Sequence, residues 1–94
     1  MDRPRSVTIL GKRWRLSFAP HLGRNLGTCE HPETPSKTIR IQAGLKGTEL
    51  VEVLIHEMLH AANWHLNEEF VDHFCRDAAR ALKRLGLLRE DENG

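Results

Sequence analysis

Apolar and polar residues alternate along parts of the first half of this chain and recur at helical spacing along the second. Ser6 to Leu10 alternates weakly and is rich in β-branched residues. Arg13 to Phe18 alternates strictly, with Arg13, Arg15 and Ser17 on one face and Trp14, Leu16 and Phe18 on the other. A period of two is that of a half-buried strand. Gly11-Lys12 suits a two-residue turn of the Gly-X type, so the two stretches predict a hairpin that Pro20 ends. Thr38 to Gln42 alternates again and predicts a third strand, at the edge of the sheet. The intervening residues 19–37 hold Gly23, Gly27, Pro32 and Pro35 among many polar residues and predict a long loop. Loops of that length in compact domains are often functional.

The period then changes. Thr48 follows Gly47 as a good N-cap, and Glu49 and Glu52 sit where a helix dipole favours acids. Leu50, Val51, Leu54, Ile55, Met58, Leu59, Ala61 and Ala62 gather on one broad face. Asn67 predicts the start of a second helix, with Leu66 and Val71 placed for a hydrophobic staple. Its apolar stripe is Val71, Phe74, Cys75, Ala78, Leu82 and Leu85, and Gly86 is a natural residue to follow its last turn. The predicted class is α+β: a small three-stranded sheet, hairpin plus edge strand, followed by two packed C-terminal helices. Residues 1–88 form one domain in this reading, and 89–94 are a polar tail.

Ninety-four residues allow one domain with a modest core. The chain has no apolar run long enough to span a membrane, and Met1 to Arg5 lacks the apolar segment of a signal peptide. Cys29 and Cys75 form no C-x-x-C pair, so a reduced, cytoplasmic setting is expected. Net charge is +1 but uneven. Residues 1–47 carry nine Lys/Arg against three acids, and residues 48–94 carry five against ten. The basic half admits a nucleic-acid partner, although a solvated sheet face explains it as well.

The chemistry sits on the first helix. His56-Glu57-Met58-Leu59-His60 puts two imidazoles about 40° apart around the helix, at roughly 100° per residue, so both can close on one metal ion. Glu57 is one step round, within reach of a metal-bound water. With six His and nine Glu in the chain, five residues can coincide by chance, so a third ligand must complete the pattern.

His65 falls five residues after His60, one short of the third His in H-E-x-x-H-x-x-G-x-x-H, and Asn63 stands where that pattern has Gly. Glu69 points away from the apolar stripe of the second helix, whereas Glu68 lies on its border, where packing against the first helix would turn it towards the His pair. Glu68 is therefore the preferred third ligand, with Asp72 one turn on to orient a ligand. His73 shares the exposed side with Glu69. Cys29-Glu30-His31 is a weak metal-like pair in the long loop.

His56-Glu57-x-x-His60 followed by Glu68-x-x-x-Asp72 resembles the gluzincin arrangement of zinc peptidases, in compact versions such as the ImmA/IrrE-type peptidases. The stretch Leu54 to Ala61 is also similar to a helix of SprT-like proteases, but a His-Gly third-ligand segment is missing. The resemblance covers residues 38–86 and implies a zincin-like domain. It implies one Zn²⁺ held by His56, His60 and Glu68, with Glu57 as general base in peptide hydrolysis. It also implies that the Thr38–Gln42 strand pairs with the substrate backbone. Two departures stand out. Zincins usually place a helix before the sheet, and the oxyanion-stabilising Tyr is impossible in a chain with no Tyr. His65, His73, His31 and Arg24 are the candidate replacements. The alternative is an inactive zincin-like module whose structural zinc is closed by a fourth ligand such as His65 or Cys29.

Overall fold

A computed structural model describes residues 6–88, and the expectations for Met1 to Arg5 and for the 89–94 tail lie outside them. The elements are β1 (Ser6–Ile9), β2 (Lys12–Ala19), β3 (Gly27–Cys29), β4 (Thr38–Gln42), α1 (Gly47–Ala62) and α2 (Glu68–Arg84). The α+β class holds, but the sheet has four strands rather than three, in the order β1-β2-β4-β3. The extra strand, Gly27-Thr28-Cys29, lies inside the expected long loop. It is too short to show a period and exists because it pairs antiparallel with β4. Consequently β4 is not the edge. It runs parallel to β2 on one side and antiparallel to β3 on the other.

The hairpin turn is displaced by one residue from the expected Gly11-Lys12. Ile9 pairs with Lys12, and Leu10 and Gly11 turn the chain at φ 50° and 79°. Positive φ at both central residues is the type I′ geometry, whose twist matches that of the flanking strands. Trp14 and Leu16 face inward and are buried, whereas Arg13 and Arg15 are exposed on the outer sheet face. Part of the positive charge of the first half sits there.

The core is built from Ile9, Trp14, Leu16, Ile39, Ile41, Leu45 and Ala61, with Leu50, Val53, Leu54 and Met58 packed on it from α1. Helix α1 touches the sheet on one side and α2 on the other, while α2 makes its substantial contacts with α1 alone. Val71, Cys75 and Ala79 form the buried strip of α2. Phe74 and Leu85, expected in that strip, are exposed, and Phe74 stacks on Phe70 instead with centroids 6.0 Å apart. A helix with a single neighbour buries only a narrow strip, and these two side chains fall on its flanks.

The caps follow local chemistry at three of four ends. The Asn67 side chain accepts from Phe70 N–H at 3.0 Å. Gly86, at φ 74°, ends α2, with Gly86 N–H donating to Lys83 and Leu87 N–H to Leu82. That pair of bonds is the Schellman pattern. Asn63 N–H closes α1 on the Leu59 carbonyl. Thr48 is not the N-cap of α1. The helix begins at Gly47, and the backbone carbonyl of Lys46 accepts from Leu50 N–H.

Candidate metal centre

Helix α1 carries His56, Glu57 and His60, and the first turn of α2 carries Glu68, with Asp72 one turn further. The Asn67 cap fixes where α2 begins, and Val71 and Cys75 seat it on α1. Glu68 then reaches back across the helix pair. Its Oε2 lies 3.0 Å from His60 Nε2 and its Oε1 lies 3.6 Å from His56 Nε2. One ligand atom from each of the three residues falls within 4.8 Å of the others. On the far side of the His56 ring, Nδ1 lies 3.3 Å from Asp72 Oδ1 and 3.9 Å from the Cys75 sulfur.

These distances suit a metal. Bonds of about 2.0–2.1 Å in a tetrahedral zinc site put ligand atoms roughly 3.3 Å apart, and the observed spacings bracket that value. His60 is 8 % exposed, and its Nε2 is buried with no hydrogen-bond partner, because the Glu68 approach lacks hydrogen-bond geometry. A buried nitrogen without a partner is costly unless something else binds its lone pair. Two imidazoles and a carboxylate are a zinc-type donor set. Asp72 faces the second nitrogen of His56, where a carboxylate fixes the tautomer that presents Nε2 to a metal.

Glu57 and His60 are both buried, although neither belongs to the apolar face of α1. Strand β3 and the start of α2 roof them. Gly27 lies against α1 so closely that a Cβ there would come 2.7 Å from Val53 Cγ1 and 3.1 Å from Glu57 Oε2. Burial, and secondarily the negative charge of Glu68, push the Glu57 carboxyl up to about 7. A carboxyl in that range can both take and return a proton near neutrality. Cys29, half-buried beside it, is pushed up to about 12 by burial and by the charges of Glu57 and Glu30. Its thiol donates to the Glu30 carbonyl.

An open cleft of about 680 Å³ lies over the three ligand candidates and Glu57, and Gly27, Cys29, Trp64 and His65 are among the residues that line it. His65 thus borders the cleft but does not join the cluster of ligand atoms, and neither does Cys29. Glu69 and His73 are exposed and line neither this cleft nor the smaller neighbouring one. Arg24 lines that neighbour, of about 260 Å³. His31 lines neither, but its ring lies 4.9 Å from that of Trp64, which lines the main cleft. Sequence reasoning missed Asn25, Gly27 and Trp64 as cleft residues. Only the glycine left a signal, as one of the two glycines of the expected loop.

The edge strand of the sheet that borders the cleft is β3. Glu30 N–H donates to the Thr38 carbonyl, and Gln42 N–H donates to the Leu26 carbonyl. Antiparallel strands alternate the side to which successive residues bond, so residues 26, 28 and 30 face β4 and Gly27 and Cys29 face outward. The expectation that Thr38–Gln42 receives a substrate strand fails here, because both sides of β4 are already paired.

The SprT-like family model matches residues 5–80, which takes in the hairpin and most of α2 as well as the His-Glu helix. No curated protein and no solved structure matches the chain. Among the described residues, no helix is long and apolar enough to cross a membrane.

Proposed function

Because the chain belongs to the SprT-like family, a zincin-like and zinc-associated family, we propose that it is a zinc-dependent peptidase of gluzincin-like ligand set. In this reading His56 Nε2, His60 Nε2 and a Glu68 oxygen hold one Zn²⁺. The bound ion would supply a water of lowered pKa and polarise the carbonyl to be attacked. Glu57 is the general base, and its carboxyl returns the proton to the leaving amine. Asp72 holds the His56 ring through Nδ1. The substrate backbone pairs with the outward groups of Gly27 and Cys29 on β3, as an added strand.

The observation that carries the reading is the convergence of His56, His60 and Glu68 at the floor of an open cleft, with Glu57 buried beside them. Openness favours catalysis over a structural zinc, since structural sites are closed by a fourth protein ligand. Neither Cys29 nor His65 offers one within the cluster. The role of the absent Tyr falls to a cleft donor, and His65 is the one of the four proposed replacements that lines the main cleft. The test is zinc-dependent cleavage of unstructured peptides by the wild-type chain, lost on chelation and in Glu57→Gln. Zinc bound at one equivalent by a wild type that cleaves none of them would sink the reading.

A further inference from the structure

The cleft has two unlike ends. Trp64, one turn beyond His60, is 38 % exposed and makes one wall at the end of β3 that leads into His31. Its ring lies 6.3 Å from that of His60, and half-buried Leu66 continues the apolar surface. The other end, where the chain enters β3, opens into the smaller cavity lined by Arg24, Glu52 and Asp72. A large indole flanked by His31 and by a buried imidazole, and still 38 % exposed in a cleft, leaves apolar surface open to a ligand. Aromatic and apolar side chains gain most from such a wall.

The direction of a bound peptide follows from the edge strand. Gly27 and Cys29 each offer an outward N–H and C=O, and an antiparallel partner can exchange both bonds with each of them. Antiparallel pairing is also the more stable per residue. A peptide laid that way has its amino-terminal residues beside Cys29 and Trp64, and its carboxyl-terminal residues beside Arg24 and Glu52. We propose that the cleft selects extended peptides with a large apolar or aromatic side chain on the amino-terminal side of the cleaved bond, seated on Trp64. This rests on the peptidase reading for the cleaved bond, but the subsite itself is a matter of binding.

Binding is therefore measured first, with zinc-loaded Glu57→Gln protein and fluorescently labelled eight-residue Ala/Ser peptides carrying one Phe or none. The Phe peptide is expected to bind about tenfold more tightly than its all-Ala/Ser counterpart, the scale of a stacked, desolvated ring. Trp64→Ala in the same background should erase that preference, while Trp64→Phe keeps most of it and zinc content stays at one equivalent in both. Equal binding of the two peptides, or a preference that survives Trp64→Ala, overturns the proposal. The wild-type protein is then given the same peptides, and cleavage to the carboxyl side of Phe supports the orientation. Cleavage to its amino side overturns it. A Phe preference in binding with no zinc-dependent cleavage sinks the peptidase reading and leaves the Trp64 subsite standing.

Discussion

Gly27 and Glu57 touch so closely that no side chain fits between them: a Cβ on Gly27 would lie 3.1 Å from both Cγ and Oε2 of Glu57. The edge strand and the helix bearing Glu57 are thus registered on each other by a glycine that sits at ordinary, negative φ. Steric room rather than backbone conformation demands glycine at this position.

Gly27→Ala tests that relationship. The added methyl meets Val53 Cγ1 at 2.7 Å, and a β-branched side chain has little freedom to retreat. Overpacking of this kind costs about 1–3 kcal/mol. Urea unfolding should show that loss, and the variant should lose turnover more than zinc, because the displaced group is Glu57 and not a ligand. A variant as stable and active as wild type would show that β3 and α1 are not in contact as described.

The raised Glu57 carboxyl makes a pH prediction for the metal-free protein. Its pKa rises from 4.5 to about 7 on folding, so the folded state holds this proton more tightly than the unfolded chain. The contribution of Glu57 to stability is then most favourable below pH 4.5 and is lost as pH rises to about 7, a change on the order of 3 kcal/mol. Denaturation of EDTA-treated wild type and Glu57→Gln across this window should give two curves that diverge as pH rises, with the wild type falling away. Parallel curves would mean that Glu57 is solvated.

For the third ligand, Glu68→Ala is expected to bind zinc at least a hundredfold more weakly, the loss of one of three protein ligands. Glu69→Ala and His65→Ala should still bind one equivalent, since neither residue belongs to the convergent cluster. Titration with a competing chelator ranks the three, and tight binding by Glu68→Ala would move the third ligand elsewhere.

Asp72 lies 3.3 Å from His56 Nδ1, on the side of the ring that faces away from Glu68. Asp72→Ala should weaken zinc about 10–100-fold, the usual cost of losing an outer carboxylate, with Asp72→Asn retaining part of the affinity as an acceptor. Nitrogen-15 spectra of the imidazole would report the accompanying change of His56 tautomer. An unchanged tautomer and affinity in Asp72→Ala would remove the residue from the site.

Cys29 should be slow to react. With its thiol pushed up to about 12, only about one molecule in ten thousand carries thiolate at pH 8, and the thiolate is the nucleophile. Alkylation of the native metal-free chain by iodoacetamide, followed by mass spectrometry, should leave Cys29 largely unmodified until denaturant is added. Glu57→Gln should quicken it, because the Glu57 charge is among the causes of the shift.

Much of this molecule is written in local patterns. Strict alternation placed β2 and β4, the Asn67 cap and the Gly86 terminus bounded α2, and helical spacing brought His56 beside His60. The 100° step also separated Glu68 from Glu69, because the side of a helix that packs can be read from its own stripe. Those features depend on a residue and its neighbours within a turn or two, and such terms are present in the sequence itself.

The cleft is different. Gly27-Thr28-Cys29 has no period to read, and it becomes a strand only because β4 supplies its hydrogen bonds. That pairing moved the edge that borders the cleft from Thr38–Gln42 to β3, buried Glu57 and raised its pKa, and brought Trp64 beside His31. Phe74 left the expected stripe for the same kind of reason, since one neighbouring helix covers only a strip. By itself the sequence determined which residues can bind a metal and on which helix they stand. Tertiary structure decided what roofs them, how dry Glu57 is and which strand edges the cleft, because strand pairing and burial are made by residues far apart in the chain.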